Sequence, residues 1–163
     1  MKLKHALAVG AVALTAVGAS VAQAQEGSDP TASAKFKSKL VRVDKSTAVL
    51  KVTYTCSKGS TLWISAKQLA NGKRSPVLTK EGSSQAAKAW FQSHRNPIVC
   101  DGSSQTAVFT VDKVEPGSKG RLKAKGKHNR GKAYIQFCIT LPPTDENPEG
   151  ELTLSKSGWV SVR

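Results

Sequence analysis

The sequence predicts an all-β domain, an antiparallel sandwich of seven or eight short strands with at most one short helical turn. Three observations predict it. Apolar and polar residues alternate with period two over several stretches rich in Val, Ile, Thr and aromatics. Gly, Pro, Asn and Ser punctuate those stretches at short intervals. No helical period is sustained over a useful length. Short strands of this kind bury their apolar faces by closing as a sandwich or barrel.

The first segment belongs to a different category. Lys2 and Lys4 supply a positive start, Ala6 to Val21 carries no charge, and Val21-Ala22-Gln23-Ala24-Gln25 places small residues where signal peptidase needs them. Residues 1–24 therefore read as a secretory signal peptide. The apolar run from Ala6 to Val21 falls short of the roughly 20 residues needed to span a bilayer, and no second apolar run follows. A secreted protein, extracellular or associated with the cell surface, is expected, with no membrane span after cleavage. Residues 25–34 (QEGSDPTASA) are small and polar around Pro30 and read as a disordered leader. Residues 35–163 have the length of a single domain.

The strands follow in order. Phe36–Val43 is expected to be the first, turning at Asp44-Lys45. In 47–56 (TAVLKVTYTC), Ala48, Leu50, Val52, Tyr54 and Cys56 share one face. In 61–69, Leu62, Ile64 and Ala66 share a face ahead of the turn Asn71-Gly72. Residues 81–95 (EGSSQAAKAWFQSHR) dissent: Ser83 or Ser84 would cap a short helix through Ala86, Ala87, Ala89 and Trp90, Trp90-Phe91 would equally suit a strand, and the favoured reading is an irregular segment containing a helical turn. Pro97–Cys100 reads as a short strand running into the turn Asp101-Gly102. In 105–114, Ala107, Phe109 and Val111 point one way before Glu115-Pro116-Gly117. In 132–141, Ala133, Ile135, Phe137, Ile139 and Leu141 point inward until Pro142-Pro143 stops the run. Glu151–Ser155 and Trp159–Val162 form either a hairpin through Ser157-Gly158 or one strand with a bulge.

Export makes disulfides the expected state of cysteine, and the chain has three: Cys56, Cys100 and Cys138. The preferred bridge is Cys56–Cys100, joining the end of a strand to the start of a turn. It closes a loop of about 45 residues, for which the chain-entropy account gives roughly 4 kcal/mol. Cys138 has the opposite parity to Phe137 and Ile139 and reads as a half-buried, inert thiol.

The run Thr53-Tyr54-Thr55-Cys56-Ser57, then Cys100-Asp101-Gly102, then a Val/Phe-rich strand and a glycine-rich basic turn into Lys132-Ala133-Tyr134, resembles small exported proteins of actinobacteria. The resemblance covers roughly residues 35–163. It implies an immunoglobulin-like β-sandwich, and it implies that Cys56 and Cys100 are the disulfide pair. Cys138 departs from that pattern.

The chain holds 25 Lys and Arg against 11 Asp and Glu, a formal charge of +14. Cleavage after Ala24 lowers it to +12, because it removes Lys2 and Lys4 and no acid. Such a charge selects anionic partners. The densest segment is 119–132 (KGRLKAKGKHNRGK), with no acid. Arg121, Lys123, Lys125 and Lys127 are spaced two apart, so on a strand they would stand in one row about 7 Å from each to the next. Leu122, Ala124 and Gly126 would face the core. Lys35, Lys37 and Lys39 repeat the spacing, and the two rows would merge if the strands shared a sheet. A row of this kind either contacts an anionic cell-envelope polymer or protects a strand edge from aggregation. No aromatic interleaves the cations within 119–132, so sequence-specific nucleic-acid binding is not expected.

Other chemistry is poorly represented. The chain after cleavage has two histidines, His94 and His128, both in polar segments. G-x-S-x-G, C-x-x-C and a glycine-rich phosphate loop are absent. Asp145, Glu146, Glu149 and Glu151 crowd a Pro/Gly-rich loop that is a poor frame for a catalytic carboxylate pair. No catalytic residue, metal or cofactor is expected. The exposed-aromatic alternative is a protein-binding accessory module or inhibitor of a secreted enzyme. It would use Trp63, which points opposite to Leu62 and Ile64, or Trp90.

Overall fold

The computed structural model describes residues 32–56, 61–94, 96–113, 120–148 and 150–163. The signal peptide, residues 25–31 of the leader, the turn Glu115–Gly117, Lys119 and Glu149 lie outside the described residues. The fold is antiparallel β, as the alternation predicts, with eight strands and two short 3-10 turns among the described residues. The strands are β1 Ser33–Phe36, β2 Val41–Arg42, β3 Thr47–Thr55, β4 Thr61–Gln68, β5 Ala89–Ser93, β6 Gln105–Lys113, β7 Lys132–Thr140 and β8 Leu152–Ser161. They run in the spatial order β1-β3-β6-β5-β4-β7-β8, with β2 beside β3.

One hydrogen-bonded sheet supplies both layers. β1, β2, β3 and β6 form one half; β5, β4, β7 and β8 form the other. Among the described residues, only Phe91↔Lys113 and Gln92↔Asp112 pair across the link between β5 and β6. The sheet bends there, and the two inner faces meet. Phe109 of β6 meets Phe137 of β7 with ring centroids 5.3 Å apart, and Tyr54 of β3 lies 6.0 Å from Phe137. Edge-to-face and tilted ring pairs of this kind hold the layers together. Of the expected inward residues, Ala48, Leu50, Val52, Tyr54, Cys56, Leu62, Ile64, Ala66, Phe109, Val111, Ala133, Ile135, Phe137 and Ile139 are buried, whereas Ala107 is only half-buried and Leu141, half-buried too, lies just beyond the end of β7.

Three local expectations are corrected, and one open choice is decided. The first strand is interrupted: β1 begins at Ser33, two residues ahead of the expected domain start, and residues 37–40 separate it from β2. Residues 96–100 form no strand, because the Asn96 side chain occupies the ladder position beside β6. Its amide donates to Thr110 O at 2.8 Å and accepts from Thr110 N–H at 2.7 Å. Residues 81–95 divide into a 3-10 turn at Ser83–Ala86 and β5, with Gly82 rather than a serine at the cap, in the left-handed region (φ 68°). Of the two readings of the C-terminal segment, the structure has the single strand with a bulge, at Thr153, and no hairpin through Ser157-Gly158.

A second 3-10 turn, Pro76–Thr79, has no counterpart in the sequence reading; Ser75 caps it by accepting from Val77 N–H. With Ser83–Ala86 it straps the outer face of β4 and β7. Leu78, Ala87 and Tyr134 are buried there, packed with Leu69, Trp90 and Trp159. Cys56 and Cys100 are joined by a disulfide. The bridge sits at the end of β3, where Gly102 N–H donates to Cys56 O at 2.9 Å and Val99 N–H donates to the Tyr54 hydroxyl at 3.1 Å.

Candidate anion-binding cleft

The segment bearing Arg121, Lys123, Lys125 and Lys127 is not a strand. Its anchor is Leu122, fully buried in the main core. No neighbouring strand pairs with it among the described residues. Instead Gln68, buried at the end of β4, takes both main-chain groups of Lys123. Its amide donates to Lys123 O at 2.8 Å and accepts from Lys123 N–H at 2.7 Å. The Arg42 guanidinium donates to Leu122 O at 3.2 Å. The expected alternation survives as far as Lys125: Arg121, Lys123 and Lys125 are exposed, Leu122 is buried and Ala124 half-buried.

The row then breaks. Gly126 and Asn129 pair with each other and turn the chain back at Lys127-His128. The Asn129 side chain fixes this turn by donating to Ala70 O at 3.0 Å and accepting from Gly131 N–H at 2.6 Å. Gly131 has φ 62°, and a Cβ there would overlap the Lys125 main-chain nitrogen. Glycine is therefore required on two counts, and its absence of side chain is what lets Lys125 lie against the start of β7.

The four predicted cations are consequently dispersed. Lys125 enters a cleft of about 520 Å³ with Lys39, Arg130, Lys132 and Arg163, alongside Ser161. Arg121 joins Arg42 and Lys45 in a smaller depression that also holds Asp44. Lys123 lines neither, and Lys127 sits on the turn. Of the second predicted row, Lys39 alone reaches the cleft. The two rows do not merge; one residue of each, Lys39 and Lys125, lines the same cleft, and neither lies on a strand.

Five cations from four chain segments meet in this cleft, and no acidic residue among the described ones lines it. Lys132 Nζ donates to Ser161 Oγ at 2.8 Å, which orients that ammonium. Arg130 and Lys132 are held by main-chain bonds to Asn71 O and Gly72 O, both 2.9 Å, and Val162 N–H donates to Gly131 O at 2.7 Å. The frame is therefore main-chain and rigid, while the charged heads reach solvent. Sequence reasoning missed Arg130, Lys132 and Arg163 as members of this set. Arg130 and Lys132 lie in the dense basic segment 119–132 but beyond the regular row, and Arg163 is remote from it, so nothing in the local spacing joins the three.

No family model, no curated protein and no solved structure matches the chain.

The other candidates separate clearly. Trp63 is half-buried, with its indole N–H donating to Gln92 Oε1 at 3.1 Å and its ring 6.4 Å from that of His94. Cys138 is a free, half-buried thiol on the outer face of β7, and burial raises its pKa. Lys67 is buried on the outer face of β4, its ammonium donating to Ser83 Oγ at 3.0 Å and Gln136 Oε1 at 2.7 Å. Burial lowers its pKa. Ser83 in turn donates to Leu78 O at 3.1 Å, so this amine ties the 3-10 strap to the sheet. Asp145 and Glu146 are exposed, and no group of three metal-ligating side chains occurs among the described residues.

Proposed function

We propose that this is an exported, non-catalytic binding protein that engages anionic polymers of the cell envelope through the cleft of Lys39, Lys125, Arg130, Lys132 and Arg163. The observation that carries the reading is the convergence of five cations on one concave site with no acid in its described lining. Like charges held together on a rigid frame repel one another. A polyanion relieves that repulsion and releases its own counterions in doing so. The signal-like start, the disulfide and the resemblance to small exported actinobacterial proteins support a location outside the cytoplasm.

The test is retention of the protein of residues 25–163 on an anionic polymer column over a salt gradient. The reference is a protein of equal net charge with dispersed lysines. Elution well above the reference is expected, and the pair Lys125→Glu and Arg130→Glu should bring it down to the reference without altering the unfolding midpoint by more than about 2–4 °C. Co-elution of parent and reference would refute the reading. The alternative, a protein-binding module centred on Trp63 or Trp90, is less well supported, because the Trp63 indole N–H is already engaged by Gln92.

A further inference from the structure

The two outer faces of the sandwich differ. The 3-10 strap covers that of β4 and β7. The outer face of β1, β2, β3 and β6 is open. Of the five strongly exposed large apolar side chains among the described residues, three stand on it: Val41 at 42%, Val43 at 61% and Val108 at 60%. Parity puts them there. Ala48, Leu50 and Val52 of β3 and Phe109 and Val111 of β6 are buried, so Val49, Lys51 and Val108 point the other way. Val41 lies opposite Val49, and Lys51 opposite Val108. Val43 N–H donates to Thr47 O at 2.9 Å, which carries the β2–β3 register one step further and sets Val43 on the face of Val41.

The same face holds the part of the second predicted basic row that the cleft does not take. Ala34 and Phe36 of β1 pack against the core, so Lys35 and Lys37 point outward. Lys35 lies opposite Thr53, and Lys37 N–H donates to Lys51 O. Lys35, Lys37 and Lys51 are all exposed. Against them, the strands of this face present one acid among the described residues, Asp112, opposite Thr47. Asp44 on the adjoining turn sits beside Lys45 and accepts from Ser46 and Thr47 N–H, both at 2.7 Å. Next to Lys35, Thr53 and Thr106 bond hydroxyl to hydroxyl at 2.7 Å. Those hydroxyls satisfy each other and lose little when water leaves.

An aliphatic patch rimmed by lysines narrows the choice of occupant. A second copy would double the lysines at one interface. By parity the face carries no aromatic and no arginine among the described residues, and those are the anchors of protein interfaces. A bilayer needs neither. Aliphatic side chains enter the boundary between headgroups and acyl chains, while lysines reach the lipid phosphates with their stems along apolar surface. We propose that this face docks the protein on an anionic lipid bilayer, with Val41, Val43 and Val108 in the headgroup boundary and Lys35, Lys37 and Lys51 on lipid phosphates. The proposal does not depend on the polymer cleft, whose cations take no part in it.

The test is sedimentation of the protein of residues 25–163 with unilamellar vesicles of phosphatidylcholine, alone or with roughly 30% phosphatidylglycerol. Binding to the anionic vesicles is expected, at least about tenfold tighter than to the neutral ones. Val41→Thr, Val43→Thr and Val108→Thr together keep the β-branched shape and all charges, and should weaken vesicle binding at least about tenfold while leaving polymer retention unchanged. Should the triple variant fail to fold, Val43→Thr alone serves and should weaken vesicle binding by a factor of about three to five. Lys35→Gln, Lys37→Gln and Lys51→Gln together should also cost at least about tenfold. Anionic vesicles bound equally by parent and valine variant would overturn the proposal, because the contact would then be charge alone. So would equal binding by parent and lysine variant, equal binding of neutral and anionic vesicles, or no binding at about 1 mM lipid. Failure of the polymer reading shows instead as co-elution from the column, which the vesicle measurements do not touch.

Discussion

Gln68 offers the sharpest test of how the basic segment is held. It is buried at the end of β4 and makes two hydrogen bonds, at 2.8 and 2.7 Å, to the main chain of Lys123. Gln68→Met preserves length and approximate volume while removing both bonds. Each neutral hydrogen bond contributes about 1 kcal/mol net, so the loss should be about 2 kcal/mol, or a Tm lower by roughly 6–8 °C for a domain of this size. Gln68→Ala should cost about 1 kcal/mol more, because the site would also lose packed volume. Gln68→Glu should be worse than Met: its carboxylate still accepts from Lys123 N–H, but it buries a charge and sets an oxygen with no proton to give against Lys123 O. Urea unfolding measures the stability, and hydrogen exchange at the Lys123 amide reports the local bond directly. Polymer retention should fall with the Met variant, because the segment that carries Lys125 into the cleft is no longer pinned two residues upstream. A Met variant within about 0.5 kcal/mol of the parent, with the Lys123 amide still protected, would refute the reasoning.

Three further outcomes follow from the same structure. Replacing Cys56 and Cys100 together by Ala opens the loop they close and should cost up to about 4 kcal/mol on the chain-entropy account, read as a lowered urea midpoint under non-reducing conditions. Burial holds Lys67 below the ordinary lysine range. Between its folded pKa and the unfolded value of about 10.4 the unfolded chain therefore binds more protons, and stability rises with pH over that interval. Lys67→Met should flatten this rise, measured by urea unfolding at successive pH values; an unchanged slope would show that the amine is not the source. Gly131→Ala combines a left-handed φ with overlap of the Lys125 backbone. It should cost at least about 1–2 kcal/mol and weaken polymer retention together, and a stable variant with full retention would mean that the Gly131–Lys125 approach is not what shapes the cleft.

Local alternation was enough to read most of the fold. The inward residues of β3, β4, β6 and β7 follow from period two alone, because a strand's two faces are set by backbone geometry within a few residues. The Cys56–Cys100 pairing was also legible, from a strand end and a turn. Where the reading failed, a side chain had replaced a strand. Asn96 takes the ladder position beside Thr110, and Gln68 takes that beside Lys123, from 14 and 55 residues away. Neither amide carries a periodic signal, so the strands expected at 97–100 and 121–127 were indistinguishable in sequence from segments that lie against an amide.

The sequence by itself determined the β architecture, the strand faces, the cysteine partners and an excess of positive charge. It did not determine where that charge acts. Only the tertiary structure brought Lys39, Lys125, Arg130, Lys132 and Arg163 into one cleft, and only the Leu40–Val162 bridge set β1 beside β8. The physical reason is range. A strand's parity is imposed by covalent geometry between neighbours. A cluster of cations, by contrast, is electrostatically unfavourable in itself, and it exists because the burial of Leu122, the turn at Asn129 and the left-handed Gly131 hold the backbone that carries it.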